Sequence, residues 1–385
     1  MTDIKPYRHV KIVATLGPAS RSKEVIRKLL LAGMNIVRLN LNYGTLEEHR
    51  QTIADVRAVS RQLKRNTGVL LDLPGTKRRK GGIKAVFGEH LKFAVANKAD
   101  FVALSFISSA HQVREVRLLL TGMGADTPVI TKIERERSLE ESEAILEVCQ
   151  GIMVARGDLA SEISIERVPA AQKHLIKAAN RAGKPVITAT QMLESMMQSS
   201  APTRAEATDV YNAVLDGSDA LMLSGETTIG SYPVESVSTM AKIILQAEAE
   251  LPHGEILREG WPSELVEIND ATARAACHIA YQIQAKAVIA FTTGGTTALR
   301  VSKYRPRQPI LAVTPNESVA RRLALSWGVL PVIRTAPPDV TGIFELAVAV
   351  AREIGIARRG DLLVITAGIP PTGHGGTNLI KVHQV

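Results

Sequence analysis

The sequence predicts an α/β protein: a (β/α)8 TIM barrel followed by a smaller α/β C-terminal domain. Two observations lead there. Apolar, β-branched runs recur eight times in the first 225 residues, 23 to 35 residues apart, with helical patterns between most of them. After about residue 245 the strand pattern restarts in a shorter stretch.

The eight runs are KIVATLG (11–17), NIVRLN (35–40), GVLLDL (68–73), FVALSF (101–106), PVITKI (128–133), GIMVAR (151–156), PVITAT (185–190) and ALMLSG (220–225). KEVIRKLLLAG (23–33) and VPAAQKHLIKAANRAGK (168–184) are typical of the helices between them. Continuous apolar runs suit parallel strands buried on both faces. A doubly wound open sheet fits the same alternation; the count of eight favours the barrel. Beyond it, LPHGEILREGWPS (251–263) reads as a linker with exposed turns, and a helix follows at about 269–284. Strands AKAVIAFT (285–292), PILAVT (309–314), LPVIRT (330–335), DLLVITAG (361–368) and a terminal NLIKVHQV complete a second unit. The expected bounds are 1–245 for the barrel, 246–268 for the linker and 269–385 for the C-terminal domain.

Composition narrows the function. The 385 residues are 45% hydrophobic and only 4% aromatic, with a net charge of +9 spread along the chain. Aromatic residues interleaved with basic ones, which single-stranded nucleic acid needs, are missing, so no nucleic-acid partner is expected. The densest basic run, KRRKGGIK (77–84), reads as a solvated loop or as an attractor of small polyanions. Cys149 and Cys277 stand far apart without metal spacing and read as reduced core thiols. The sequence has no secretory signal and no apolar run of about 18 residues, so a cytoplasmic protein with no membrane partner is expected.

The strands end in polar residues: Thr15; Arg38 and Asn40; Asp72; Ser105; Lys132 and Glu134; Arg156 and Asp158; Thr188 and Thr190; Ser224 and Glu226. In a barrel these tips converge on the face where such enzymes keep their sites. The GIMVAR strand ends by presenting Arg156, Gly157, Asp158 and, one helical turn on, Glu162, a grouping suited to an anionic, metal-bound ligand. Lys132 and Glu134 lie two residues apart, on one side of the pleat. Glu134 and Asp158, from adjacent strands, are the usual protein share of a Mg2+ site, and no His cluster competes for zinc. Lys132 beside such a metal would neutralise a moving phosphoryl group or an enolate oxygen. Arg38 offers a fork for phosphate. Gly157 and Asp158 open a helix whose first N–H groups suit a carboxylate. The other reading of the same tips is a structural ion-pair network. Neither a Walker A motif nor a GxGxxG after a strand is present; GETTIGS (225–231) lacks the Lys.

With these residues in view, the sequence resembles the pyruvate kinase family over nearly its whole length. KIVATLGPAS, NIVRLNLNYG, KIER, GIMVARGDL, PVITATQMLESM, PTRAEATDVYNAVLDGSDALMLSGET and the YPVESV block match family motifs in order. The resemblance implies transfer of a phosphoryl group from phosphoenolpyruvate to ADP, giving pyruvate and ATP in glycolysis, with Mg2+ or Mn2+. It implies that Arg38 contacts the phosphoryl group and that Lys132 stabilises that group and the enolate. Glu134 and Asp158 would hold the metal. Ala155, Gly157, Asp158 and Thr190 would meet the substrate, and Thr190, Ser224 and Glu226 would line the proton-donation path. TTGGTTA (292–298), with Thr292, Thr293, Gly295 and Thr297, resembles a loop for the phosphate of a sugar-phosphate or nucleotide effector; a plain strand-to-helix turn is the alternative. The family is commonly a homotetramer.

Three departures stand out. The family's monovalent-cation site maps to Asn40, Asn42, Asp72 and Leu73, and Lys77 stands where its ammonium would replace K+, so no K+ requirement is expected. The turn His of the second-strand motif is Tyr43. The lid domain of the family, between the third strand and the next helix, is missing near 79–84, and Arg79 stands where the nucleotide-facing Arg begins that lid. Lid closure can carry much of a rate. Two alternatives to a short kinase therefore follow. One is enolate chemistry without nucleotide (aldol addition, decarboxylation or proton exchange) on the same Lys132 seat; the other is a phosphometabolite sensor.

Overall fold

Eight parallel strands close on one another in sequence order, β1 pairing with β8. They are β1 (Lys11–Thr15), β2 (Ile36–Asn40), β3 (Gly68–Leu73), β4 (Phe101–Leu104), β5 (Val129–Ile133), β6 (Gly151–Ala155), β7 (Val186–Ala189) and β8 (Ala220–Leu223). This computed structural model describes residues 7–75, 82–259, 267–369 and 376–385. Every barrel-strand residue is buried except Asn40, which is half-buried. Burial on both faces is why the strands read as unbroken apolar runs and not as alternating ones.

The barrel seam is stitched by hydroxyls. Thr15 Oγ1 donates to the Leu223 carbonyl (2.9 Å), and Thr227 Oγ1 donates to the Thr15 carbonyl (2.8 Å). The N–H of Val10 donates to Glu248 Oε1 (2.6 Å), joining the start of β1 to the helix Pro233–Ala249. The helix Arg204–Leu215 is started by a reciprocal cap between Thr203 and Glu206. Glu206 also accepts from the Ser195 N–H (2.7 Å) and hydroxyl (2.5 Å), which ties that helix to the segment after β7.

The second unit is a five-stranded sheet in the order β11-β10-β9-β12-β13. Its strands are β9 (Ala287–Phe291), β10 (Ile310–Thr314), β11 (Val329–Ile333), β12 (Leu362–Gly368) and β13 (Thr377–Gln384). Only β13 runs antiparallel. One face packs Val288, Ala290 and Ala312 against Cys277 and Ala280, and the other packs Ile289, Leu311 and Ile365 against Ile343 and Ala347.

The units differ in their bounds from expectation. The barrel is Val10–Ala249, and the segment ending at His9 belongs with Glu250–Val385. His9 explains this: its carbonyl accepts from the Gly328 N–H (3.0 Å), and its ring stacks on Trp327 at 4.4 Å. Position 245 falls inside the helix Pro233–Ala249, and the expected linker contains a helix, His253–Glu259. Pro252 and Gly254 give that stretch a turn-like look, yet the Pro252 carbonyl accepts the opening bond from the Ile256 N–H (3.0 Å). Both cysteines are free and buried, and burial pushes both thiols well up. Among the described residues no helix is long and apolar enough to cross a membrane.

Candidate active site

The strand tips of β1 to β5 form one buried ionic network centred on Asp72. Asp72 Oδ2 accepts from Arg38 Nη2 (2.6 Å) and Nε (2.9 Å) and lies 3.5 Å from Lys132 Nζ. Asp72 Oδ1 accepts from the Ser105 hydroxyl (3.2 Å), and Lys132 Nζ donates to the same hydroxyl oxygen (3.0 Å). Arg38 Nη1 donates to Thr15 Oγ1 (2.9 Å). Lys132 Nζ is 2.6 Å from Glu134 Oε1, a close buried ion pair. The other oxygen, Oε2, accepts from the Phe106 N–H (2.6 Å), which Phe106 presents from a left-handed backbone (φ +54).

The charges adjust to one another. Burial pulls the Lys132 pKa down, but Asp72 and Glu134 outweigh it and hold the value above that of an ordinary lysine. Burial would raise Asp72; Lys132 and Arg38 overcome this and keep its carboxyl below the usual range. In Glu134 burial dominates over Lys132 and the Phe106 N–H, and its pKa is raised. Lys132 is therefore an ammonium held beside one firmly ionised carboxylate and one that is reluctant to ionise.

Around β6 and β7 the arrangement departs from expectation. The helix after β6 is only a four-residue turn, Arg156–Leu159, so it offers no helix terminus for a carboxylate. The Gly157 N–H is instead donated to Thr190 Oγ1 (2.9 Å), which itself donates to the Ala189 carbonyl (2.6 Å). Arg156 is not presented to a ligand either. Its side chain is only 12% exposed and is paired with Asp209 at 2.8 Å. The carbonyls of a tight turn compete for a guanidinium better than solvent does, and Arg156 donates to those of Ala189 and Thr190. Glu162, one turn further on as expected, is half-buried. Glu226 is buried and braces two strand ends: Oε1 accepts from the Leu193 N–H (3.1 Å) and Oε2 from the Ser224 N–H (2.7 Å). Burial raises its pKa.

Arg38, Asn40 and Ser224 line a cavity of about 700 Å3 together with Thr15, Arg21 and Tyr43. It lies on the β1–β2–β8 side, and Lys132, Glu134 and Thr190 are not in its wall. Tyr43 is 74% exposed at this cavity, and its carbonyl accepts from His49 Nε2 (2.7 Å). Asn40 Oδ1 accepts from the N–H and the amide of Asn42 (both 3.1 Å), and Leu73 is buried. Lys77 and Arg79 lie outside the described residues. Ala155 closes β6 and is buried, and half-buried Asp158 follows three residues later.

No metal seat of three or more His, Cys, Asp or Glu side chains occurs among the described residues. Glu134 follows β5 and Asp158 lies in the turn after the neighbouring β6, and two carboxylates are the number a hard cation would take if it kept waters or substrate oxygens as its remaining ligands. Glu134 Oε1, buried and paired with the Lys132 ammonium, is an oxygen that such an ion could take.

In the second unit Thr292, Thr293 and Thr297 line a cavity of about 550 Å3 with Arg300, Thr335 and Thr377. Gly295 stands beside it in a left-handed conformation (φ +93) and donates its N–H to Thr292 Oγ1 (2.9 Å).

Comparison with known proteins decides the family. A model of the pyruvate kinase barrel domain matches residues 7–88 and 83–237, and one of the pyruvate kinase alpha/beta domain matches 270–383. The chain belongs to the pyruvate kinase family. Pyruvate kinases of Staphylococcus epidermidis (strain RP62A) and Staphylococcus aureus (strain MRSA252) are each 36% identical to it over 473 residues, covering 98% of this chain and 80% of theirs. With 385 residues this pyruvate kinase relative is a short form. The two matched stretches of the barrel model meet at 83–88, and only residues 74–82 join β3 to the helix Ile83–Ala96.

Sequence reasoning passed over Ser105 as a bridging hydroxyl, the Phe106 N–H and Asp209. FVALSF gives no signal that Phe106 turns left-handed. The carboxylate in PTRAEATD was visible, but its partner Arg156 was assigned to a ligand.

Proposed function

We propose that the chain transfers the phosphoryl group of phosphoenolpyruvate to ADP, giving pyruvate and ATP. The observation that carries this reading is Lys132, a buried ammonium with a raised pKa set between Asp72 and Glu134 beside the Arg38 fork. In this reading Arg38 binds the phosphoryl oxygens. Lys132 neutralises charge on the moving phosphoryl group and on the enolate oxygen, where a fixed cation in a dry site is worth most. Glu134 and Asp158 would hold Mg2+ or Mn2+, which when bound supplies further neutralisation of phosphate charge. The Gly157 N–H exchanges Thr190 Oγ1 for the substrate carboxylate, next to Ala155 and Asp158. Thr190 and Ser224 stand on the path of the proton that the enolate takes up, with Glu226 bracing Ser224.

K+ is not required in this reading. Asp72 already has Arg38, Ser105 and Lys132 around its oxygens, and Lys77 would add an ammonium near Asn40, Asn42 and Leu73. Arg79 would face the nucleotide. The threonine-lined cavity of the second unit would take the phosphate of a sugar-phosphate or nucleotide effector. A cytoplasmic homotetramer in glycolysis completes the reading.

The short 74–82 connection favours a second reading, enolate chemistry on the same seat without nucleotide, because no large lid shields an ADP there. A phosphorus NMR time course with phosphoenolpyruvate, ADP and Mg2+, without K+, separates the two. ATP signals growing as phosphoenolpyruvate falls are expected. Loss of phosphoenolpyruvate without ATP would transfer the argument to the enolate reading, and a time course active only with K+ would refute the ammonium substitution.

A further inference from the structure

The tip of β7 carries two consecutive left-handed residues, Thr190 (φ +70) and Gln191 (φ +53), neither of them glycine. A β-branched residue in that region is a genuine outlier. Such backbone persists only where its surroundings over-determine it, and it gathers at functional sites. Here one guanidinium takes the carbonyls of the turn. Arg156 Nε donates to the Ala189 carbonyl (3.3 Å), and Nη2 donates to those of Thr190 (2.6 Å) and Gln191 (3.4 Å). Nη2 also lies 2.9 Å from Met192 Sδ. Nη1 reaches the opposite way, to Asp209 Oδ1 (2.8 Å) and Gln172 Oε1 (3.3 Å). Three successive carbonyls of one turn thus converge on a cation that two helices hold from behind.

The turn sets the direction of the Thr190 hydroxyl, which meets the Gly157 N–H at 2.9 Å. Gly157 follows Arg156 directly in the chain. One residue therefore fixes both sides of this contact, the amide through its backbone and the hydroxyl through its side chain. A lysine could not do this, since a point charge has no planar fork to span three carbonyls and a carboxylate.

We propose that Arg156, held by Asp209, is a positioning residue that keeps the Thr190–Gln191 turn left-handed and so aims the Thr190 hydroxyl and the Gly157 amide at the substrate carboxylate. This rests on the phosphoenolpyruvate reading of the site. Arg156 touches no substrate; it acts through Thr190 and Gly157.

The test uses the full chain with Arg156→Lys and Asp209→Asn, each alone and in a Thr190→Val background. Kinetics with phosphoenolpyruvate are read beside the NMR signal of 13C-labelled threonine methyls, the Thr190 peak being assigned by its absence in Thr190→Ser. Arg156→Lys is expected to lower kcat/KM by about 10- to 100-fold, mostly through KM, because the misaimed groups bind carboxylate in ground and transition states alike. Asp209→Asn should move it less and in the same direction. The Thr190 methyl should shift in both variants, and the kinetic effect should shrink in the Thr190→Val background to the part carried by the Gly157 amide; an effect of undiminished size there overturns the route through Thr190. Lost kcat at unchanged KM with an unmoved methyl is what a mere loss of folded protein gives, and it overturns the proposal. If Arg156→Lys does not fold, Asp209→Asn carries the same readouts. If the wild type neither turns over nor binds phosphoenolpyruvate, the functional reading fails instead; the methyl then decides alone whether Arg156 holds the turn, and an unmoved peak overturns that too.

Discussion

The tips of the barrel strands and the threonine loop of the second unit both gather polar groups, and they do so in opposite ways. The barrel uses buried charges already paired with each other: Arg38 and Lys132 against Asp72 and Glu134. The loop uses hydroxyls and glycine amides, with Arg300 the charged residue in its cavity wall. A site of the first kind is expensive to assemble, because burying ions costs more than surface pairing returns, but it holds a fixed field ready for charge that develops during a reaction. A site of the second kind makes no such field. It suits a ligand that binds and leaves unchanged.

Breaking the first site should cost most. Lys132→Met removes the ammonium from beside the reacting group and is expected to lower kcat by about 10^3-fold or more in the phosphoenolpyruvate reaction. Its circular dichroism should stay native; preserved turnover would remove Lys132 from the chemistry.

The next largest effect is on stability, and it is pH-dependent. In the folded state Lys132 and Arg38 overcome burial and hold the Asp72 pKa below that of an ordinary aspartate, 3.8. Its contribution is therefore fully present above the unfolded value and is lost as pH falls through the folded one. Asp72→Asn strands two buried cations and should cost about 3–5 kcal/mol at neutral pH. The gap to wild type should narrow as the pH is taken below 3.8 in thermal melts. A gap that stays constant into acid would mean that the carboxylate is not what balances Arg38 and Lys132. The threonine loop brings no such acid dependence.

The smallest effect sharpens the other half of the contrast. Thr292→Val removes the acceptor of the Gly295 N–H. It should weaken binding of a sugar phosphate to the second unit by about tenfold, the worth of one hydrogen bond, with kcat at saturating substrate unchanged. Calorimetry with fructose bisphosphate as probe would check it; equal affinity in the variant would leave this loop a plain turn.

The two regions were not equally legible. Strand existence was plain, because eight apolar runs at barrel spacing admit few alternatives, and Lys132 and Glu134 met as the pleat requires. Arg156 was misjudged, since a sequence shows that a cation ends a strand but not which way its fork turns. The Thr190–Gln191 carbonyls that capture it exist only because a neighbouring strand ends in a left-handed turn, which no residue type there announces. The same blindness hid the Phe106 N–H. Ser224 and Arg38 could be placed at strand tips, but that they line a cavity on the β1–β2–β8 side whose wall does not include Lys132 depends on side-chain direction. The boundary at 245 failed for a simpler reason: an amphipathic helix continued four residues past it, and Pro252 began another helix where a linker was expected.

The bond from the Val10 N–H to Glu248 Oε1 has a practical consequence. It ties the first residue of the barrel unit to the side chain of its last-but-one residue, so the two ends of the unit are within reach of each other. A circular permutant joining Ala249 back to Val10 through a few glycines, and opened within 74–82, would keep every strand neighbour of the closed barrel. The connection between β3 and the helix Ile83–Ala96 would then become a pair of free ends to which another domain could be attached.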